Sequence, residues 1–476
     1  MNLVRHLAAG HVRGDYLDGI AVFSGIPYAA PLDGPARFAA PRLPERWTGT
    51  LDATRFSPSP PQTSWMGGSE SLWHPGDGTD CLSVNVWTPD PTGRGLPVLV
   101  WFYGGAFLIG SASQPEYDGA TLARGGAVVV TVNYRVGFEG FGWLPDAPLN
   151  RGLLDQLAAL HWVRDNIAQF GGDPDNVTIM GQSAGGTSVA VLVAADEGRG
   201  LFNRAIAQSV AGGFLTPEHA RATSERIAAA LGVRATASDL AAVRPEAIHA
   251  VQHEEGQITP YGPILGGELV PALPWRRLRG EVDLVAGSTR DEYRLFAIAA
   301  GVADADPAAT AVTVGLPPSA AGAYRAAHPD LSDADLNAMI LSDGAFRMPS
   351  LWCVGNHPGR AYCYEFAWQS PAFAGALGAC HGIDTPLTFG NFVGTMSSML
   401  LGNPVPAGVV DLSEQMRSAW ISFAATGDPG WPVYRAGKAI TRIWDVPSRL
   451  AADPQAVSRQ IWEQAATAGS GRLQVP

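Results

Sequence analysis

Ser183 stands in the pentapeptide Gly-Gln-Ser-Ala-Gly, residues 181–185. A β-prone run, 176–181, precedes this serine, and a helix-prone run, 187–195, follows it. A serine at such a strand-to-helix turn projects above the carboxyl end of a sheet, where its hydroxyl can act as a nucleophile. The alternative interpretation is a tight glycine-rich turn with an incidental serine.

A serine hydroxyl needs an adjacent base, and that base needs a third group to orient it. His381, in a loop after the apolar run 361–368, is the candidate base. Glu292 and its neighbour Asp291 follow the run 283–289 and are both candidates for the acid. The order serine, acid, histidine is the one that α/β hydrolases use. The alternatives are a solvated loop histidine and surface carboxylates.

Acyl transfer also needs N–H donors that face the oxyanion of the tetrahedral intermediate. The run Trp-Phe-Tyr-Gly-Gly-Ala-Phe, 101–107, leaves a predicted strand through two glycines, so successive amides can face one point. Gly105 and Ala106 are the candidate donors there, and Ala184 at the start of the next helix is the third. A simple glycine-rich turn is the alternative.

The elements that must position these residues alternate along the chain. A hairpin is predicted over 11–25 around Leu17-Asp18-Gly19, and a helix over 153–170. Strands are predicted over 82–88, 96–103, 127–134, 176–181, 204–209, 283–289 and 361–368. Strand–helix alternation with continuous apolar runs predicts an α/β fold, with a mostly parallel twisted sheet and helices on both faces.

Three stretches do not follow this alternation. Residues 57–80, rich in Pro, Ser and Gly, are predicted to form a long surface loop. Residues 212–280 and 293–360 are mainly helical in pattern and are interpreted as cap insertions that form one wall of a cleft. We expect a single domain over 1–476.

The composition excludes several classes of protein. The net charge of −12 disfavours binding to nucleic acid or to an anionic membrane. The most apolar segments are too short and too interrupted by glycine to span a bilayer, and no secretory hydrophobic segment is evident. Four cysteines without metal-ligand spacing predict free thiols, so we expect a cytoplasmic protein without a metal, monomeric or weakly homo-oligomeric.

Longer segments carry a family pattern. The 35-residue run 152–186 is the most specific of them, and 79–89, 96–111, 286–296 and 378–390 stand in the same family order. Together they resemble the type-B carboxylesterases, the α/β-hydrolase family that includes cholinesterases and para-nitrobenzyl-type esterases. The resemblance implies Ser183 as nucleophile, His381 as base and Glu292, rather than Asp291, as acid. It also implies that the amides of Gly105, Ala106 and Ala184 form the oxyanion hole.

The chain departs from the family pattern near the site. Gln182 stands where the family usually has Glu, which removes a negative charge beside the serine, and Tyr293 stands where Gly usually follows the acid. Cys81 matches a cysteine that many secreted relatives pair, but Pro60 occupies the partner position. The resemblance therefore implies that this disulfide is absent, and that Arg135 and Asp155 form a buried ion pair.

These residues predict a serine carboxylesterase that hydrolyses small-molecule esters through an acyl-enzyme, with no cofactor. The alternatives are the same mechanism on amides, carbamates or lactones, and a non-catalytic binding protein on this fold. Candidates for an apolar substrate pocket, for which core positions are the alternative, are Trp65, Phe107, Tyr261, Tyr293 and Phe296.

Overall fold

A computed structural model of the chain describes residues 3–64, 70–253, 259–300 and 305–467. Its strands are β1 Val4–His6, β2 His11–Arg13, β3 Asp15–Leu17, β4 Ile20–Pro27, β5 Thr50–Asp52, β6 Ser83–Thr88, β7 Leu96–Phe102, β8 Val128–Val132, β9 Gly172–Gln182, β10 Arg204–Gln208, β11 Asp283–Thr289, β12 Ala361–Phe366, β13 Ile440–Trp444 and β14 Arg449–Ala452.

The helices of the described residues alternate with these strands. They are α1 Ala120–Arg124, α2 Gly137–Phe141, α3 Arg151–Asn166, α4 Ala184–Ala194, α5 Pro217–Ala230, α6 Ala237–Ala241, α7 Pro245–Val251, α8 Arg294–Ala300, α9 Pro307–Thr313, α10 Ala320–Ala327, α11 Asp333–Ser342, α12 Met348–Gly355, α13 Asp384–Phe389, α14 Thr395–Leu401, α15 Ala407–Thr426 and α16 Ala456–Thr467. A π-helical turn, Asp343–Arg347, joins α11 to α12.

One large sheet organises the molecule, in the order β14-β13-β12-β11-β10-β9-β7-β8-β6-β4-β3. The strands from β13 to β8 in this order are parallel. The outer strands β14, β6, β4 and β3 pair antiparallel. A second, small sheet has the order β1-β2-β5. The predicted mostly parallel sheet with helices is confirmed.

Local sequence signals account for several elements. The predicted hairpin is the pair β3 and β4, in which Leu17 opposes Ile20. Its two turn residues, Asp18 and Gly19, have φ of 48° and 81°, the left-handed conformation that tight hairpins favour. The strand before the serine is longer than predicted, because β9 begins at Gly172.

A buried ion pair fixes the segment after β8 to α3. Arg135 and Asp155 are fully buried, and Arg135 Nη2 lies 2.7 Å from Asp155 Oδ1. The Arg135 Nε and backbone N–H both donate to Asp155 Oδ2, at 2.8 and 3.0 Å. Removing one partner of such a buried, hydrogen-bonded ion pair lowers the free energy of unfolding by about 3–5 kcal/mol.

The prediction of a surface loop over 57–80 is wrong for its first part. Ser59 and Gln62 are buried, and the Gln62 amide donates to Gly110 O and accepts from Gly110 N, both at 2.8 Å. Buried backbone groups need such partners. This loop therefore packs against the segment after β7 instead of lying in solvent, through a partner 48 residues away.

Of the two long segments predicted to be mainly helical, 293–360 is so in its described part, whereas the described part of 212–280 has α-helices only as far as Val251 and the prediction is wrong for the rest of it. Helices α5–α7 fall in 212–280, and α8–α12 fall in 293–360. Around Tyr324, helices α9–α12 and α16 share a separate small core, in which Trp462 Nε1 donates to the Tyr324 hydroxyl at 2.9 Å. A membrane-spanning helix is not found in the described residues, where every helix is too short or too polar.

Candidate active site

The carboxyl ends of four parallel strands bring the candidate residues to one edge of the sheet. Ser183 directly follows β9, and Gly105 and Ala106 follow β7. Glu292 lies just beyond the end of β11, and His381 lies in the loop between β12 and α13. Ligands of open α/β sheets bind at this edge.

The turn at Ser183 has the strained geometry expected of a nucleophile at a strand-to-helix turn, although the residue itself is buried. Ser183 has φ 59° and ψ −123°, a conformation that few L-residues adopt. It precedes α4, and its backbone N–H donates to Gln208 O at 2.9 Å. Gly185 must lack a side chain, because an added Cβ would lie 2.0 Å from Phe102 O. The close approach of α4 to β7 therefore explains this glycine.

His381 and Glu292 form the shortest contact of the site. His381 Nδ1 lies 2.5 Å from Glu292 Oε2, and both residues are buried. The other Glu292 oxygen accepts from the Thr289 N–H at 2.8 Å. Both carboxylate oxygens are therefore occupied, and the imidazole is oriented with its Nδ1 proton on the Glu292 side.

Asp291, the rival acid, makes different contacts. Its Oδ2 accepts from the Ala379 N–H at 2.9 Å and from Gln369 Nε2 at 3.1 Å. Its own backbone N–H donates to Ala379 O at 2.9 Å. Asp291 thus anchors the loop that carries His381, whereas Glu292 contacts the imidazole itself.

The free nitrogen of His381 faces an unexpected partner. Gln182 Nε2 lies 3.2 Å from His381 Nε2. Ser183 and His381 both lie in the part of the chain that the structure describes, and no hydrogen bond joins the Ser183 hydroxyl to the imidazole there. The amide of Gln182, rather than the serine hydroxyl, is therefore in contact with the nitrogen that a base would use.

The loop after β7 presents backbone amides near the serine. Gly105, Ala106 and Phe107 have successive positive φ values of 120°, 55° and 57°. Within the described residues, the N–H groups of Gly105 and Ala106 donate to no protein acceptor. An added Cβ on Gly104 would lie 3.1 Å from Ser183 Cβ, so this loop passes directly beside the serine. The first N–H of α4, at Ala184, has no intrahelical partner.

Two tyrosines hold this loop from behind. The Tyr103 hydroxyl donates to Tyr134 O at 2.9 Å, and the Tyr134 hydroxyl donates to Tyr103 O at 2.6 Å. Their rings stack with centroids 4.3 Å apart. Burial raises the pKa of both phenols well above 10, so they remain neutral donors. The position of the amides after β7 is fixed by this reciprocal pair.

A second buried carboxylate, Asp384, lies close enough to Glu292 and His381 to interact with their charges. Its Oδ2 accepts from Gln208 Nε2 at 2.9 Å and from the Tyr364 hydroxyl at 3.1 Å. Its Oδ1 has no hydrogen-bond partner among the described residues. Burial, and next the negative charge of Glu292, raise the pKa of Asp384 from 3.8 to about 6.

Aromatic rings flank His381 on the side of the 293–360 insertion. The ring centroid of Phe296 lies 5.2 Å from that of His381, and Phe346 lies 4.3 Å from it. Tyr293 packs against Phe296 at 5.3 Å. Phe346, which was not among the predicted pocket residues, lies on the π-helical turn. Such turns are frequent at functional sites, but the sequence carries no strong signal for them.

Two further pocket candidates, Phe107 and Tyr261, are buried side chains. Phe107 is buried against Phe141, with centroids 4.6 Å apart. Tyr261 is buried with its hydroxyl donating to Gln252 Oε1 at 2.9 Å, and its pKa is raised well above 10 by burial. Trp65 lies outside the described residues.

Comparisons with known proteins point to one family. The profile of the carboxylesterase family matches residues 2–312. The para-nitrobenzyl esterase of Bacillus subtilis is 35% identical, over 95% of this chain and 96% of its own. The acetylcholinesterase of Bungarus fasciatus is 31% identical, over 98% of this chain and 84% of its own. The crystal structure of a Geobacillus stearothermophilus carboxylesterase superposes with a TM-score of 0.87 at 33% identity, over 97% of this chain and all of that one.

Proposed function

The chain belongs to the carboxylesterase family and is a serine carboxylesterase of the α/β-hydrolase fold, and we propose that Ser183, His381 and Glu292 are its catalytic triad. The observation that carries this assignment is the 2.5 Å contact between His381 Nδ1 and Glu292 Oε2, beside a serine on a strained strand-to-helix turn. The alternative main activities on amides, carbamates or lactones are not favoured by the relatives.

The reaction follows from this geometry. His381 Nε2 takes the hydroxyl proton of Ser183 as Oγ attacks the ester carbonyl carbon. His381 then gives that proton to the leaving alkoxide, which departs as the alcohol and leaves an acyl-enzyme. Water repeats the sequence and releases the acid. Glu292 holds the imidazole in the tautomer that leaves Nε2 free to accept, and stabilises the imidazolium.

The oxyanion would be held by the amides of Gly105, Ala106 and Ala184. Support comes from the two N–H groups after β7 that have no protein acceptor in the described chain, and from the free N-terminal amide of α4. The positive end of the α4 dipole adds to the stabilisation of negative charge. Such donors are each worth about 10²–10³-fold in kcat in other acyl-transfer enzymes.

The substrate is proposed to be a small ester that contacts the aromatic wall beside His381. Phe296 and Phe346 both belong to the 293–360 segment, which supports its role as one wall of the cleft. Tyr293 extends the same wall. Phe107 and Tyr261 are buried and would shape the pocket by supporting the residues that line it. We propose that residues 1–476 form one domain, with cap insertions at 57–80, 212–280 and 293–360.

We propose that the enzyme works in the cytoplasm as a monomer or weak homo-oligomer, without nucleic-acid or stable membrane partners. All four cysteines are free and buried, which suits a reducing compartment. The net charge of −12 supports the absence of polyanionic partners. Cell fractionation and size-exclusion chromatography of the purified chain test these two points.

The triad assignment is tested by Ser183→Ala. The variant should lower kcat on para-nitrophenyl acetate by about 10³-fold or more, because the remaining site keeps only oxyanion stabilisation and binding. Thermal unfolding should be almost unchanged, which separates lost chemistry from lost folding. Near wild-type turnover by a pure, folded variant would remove Ser183 from its role.

A further inference from the structure

The nitrogen of His381 that must receive the serine proton is already in contact with another side chain. Because Nδ1 holds its proton toward Glu292, Nε2 carries the lone pair. The Gln182 side-chain N–H, 3.2 Å away, is then the donor and His381 Nε2 the acceptor. Gln182 is the last residue of β9 and Ser183 follows it directly, so the residue that contacts this nitrogen is the neighbour of the nucleophile.

The Gln182 amide is confined in this position. It is buried, and an added Cβ on Gly104 would lie 2.9 Å from Gln182 Oε1. An added Cβ on Gly382 would lie 3.7 Å from Gln182 Nε2. Two glycines therefore leave space for a side chain of this length, one on the loop after β7 and the other directly after His381.

We propose that Gln182 is a positioning residue for the base: its amide holds His381 Nε2 in the resting enzyme and competes with Ser183 for that nitrogen. The inference rests on the triad assigned above. One lone pair cannot accept two full hydrogen bonds, so the imidazole must exchange Gln182 for Ser183 before proton transfer. The serine is reactive only in the fraction of molecules that have made this exchange.

The chemistry of the amide determines what a substitution does. An N–H donor bonds to the neutral imidazole only, whereas a carboxylate at the same place bonds only to an imidazolium whose Nε2 is protonated. The groups that already face His381 and its loop are the carboxylates of Glu292, Asp384 and Asp291 and the buried thiol of Cys380. A further carboxylate at 182 would stabilise the protonated, inactive base.

The test compares pH profiles of kcat/KM on para-nitrophenyl acetate, with each rate divided by the number of active sites titrated with a phosphonate. Gln182→Glu should move the acid limb up by about one pH unit or more, as an opposite charge in contact does. Gln182→Met, which keeps the length but donates nothing, should leave the limb in place and raise kcat/KM about two- to tenfold, the effect of one removed hydrogen bond. Gln182→Asn, too short to reach, should behave like Gln182→Met.

Gln169→Glu is the matched control. It makes the same charge change at an exposed position just before β9, at the opposite end of that strand from Gln182, and should reproduce the wild-type profile. The inference is overturned if the Gln182→Glu profile superimposes on this control, or if Gln182→Met or Gln182→Asn lowers kcat/KM. Failure of the triad itself would appear differently, as activity that survives Ser183→Ala.

Discussion

Replacement of Asp384 by Asn should stabilise the protein at neutral pH. Its carboxylate is fully buried, and burial together with the charge of Glu292 raises its pKa from 3.8 to about 6. Since one pKa unit corresponds to about 1.4 kcal/mol, ionised Asp384 costs the folded state about 3 kcal/mol. An Asn side chain can keep a carbonyl acceptor for Gln208 and Tyr364 without the buried charge.

The pH dependence fixes the sign of this effect. Well below pH 3.8 Asp384 is protonated in both folded and unfolded chains, so its contribution to stability is fully present. As the pH rises from about 4 to about 6, the unfolded chain loses the proton first and the wild type loses stability. The gain from Asp384→Asn should therefore be about 3 kcal/mol at pH 7.5 and about half of that at pH 5.

Urea unfolding at the two pH values, followed by far-UV circular dichroism, measures this difference. Asp411→Asn removes a charge from the exposed side of α15 and is the control, for which no such change with pH is expected. A variant Asp384→Asn that is less stable than the wild type at pH 7.5, or whose gain is the same at both pH values, would refute the reasoning.

Two further predictions compare matched substitutions. Glu292→Gln should lower kcat by about 10²–10⁴-fold, because it changes the orientation and tautomer of the imidazole. Asp291→Asn should lower kcat less than about tenfold, because it only loosens the loop that carries His381. Equal losses of kcat in steady-state assays would contradict the assignment of the acid. Gly185→Ala should destabilise the fold by about 1–3 kcal/mol or more, because the new Cβ would lie 2.0 Å from Phe102 O. The control, Gly322→Ala, has open space around it on α10 and should be neutral or stabilising. Equal melting temperatures of the two variants would refute the steric argument.

The sequence predicted well what depends on local patterns. The run 176–195 is a strand, a turn and a helix because apolar β-prone residues, a strained serine and small glycines follow one another. The Leu17-Asp18-Gly19 hairpin follows from turn chemistry in the same way. Parallel strands then bring their carboxyl ends to one edge, which is why residues almost 200 positions apart, such as Gln182 and His381, meet there.

Contacts between segments that are distant in sequence could not be predicted in this way. The burial of Gln62 depends on Gly110, whose need for two hydrogen bonds no local pattern reveals. Phe346 approaches His381 because a π-helical turn reorients the chain before α12, and hydrophobic periodicity does not encode that turn. The contact of Gln182 with the imidazole depends on where two loops meet, so the sequence indicated a missing charge there but not a hydrogen bond.

The most direct test of the account is covalent labelling with an organophosphonate, followed by peptide mapping by mass spectrometry. One equivalent should attach to the peptide that contains Ser183, with loss of esterase activity in proportion. Labelling should be abolished in Ser183→Ala, because no other hydroxyl is expected to have an oriented imidazole and oxyanion donors beside it. Stoichiometric modification of any other residue, with parallel loss of activity, would contradict the assignment of the nucleophile.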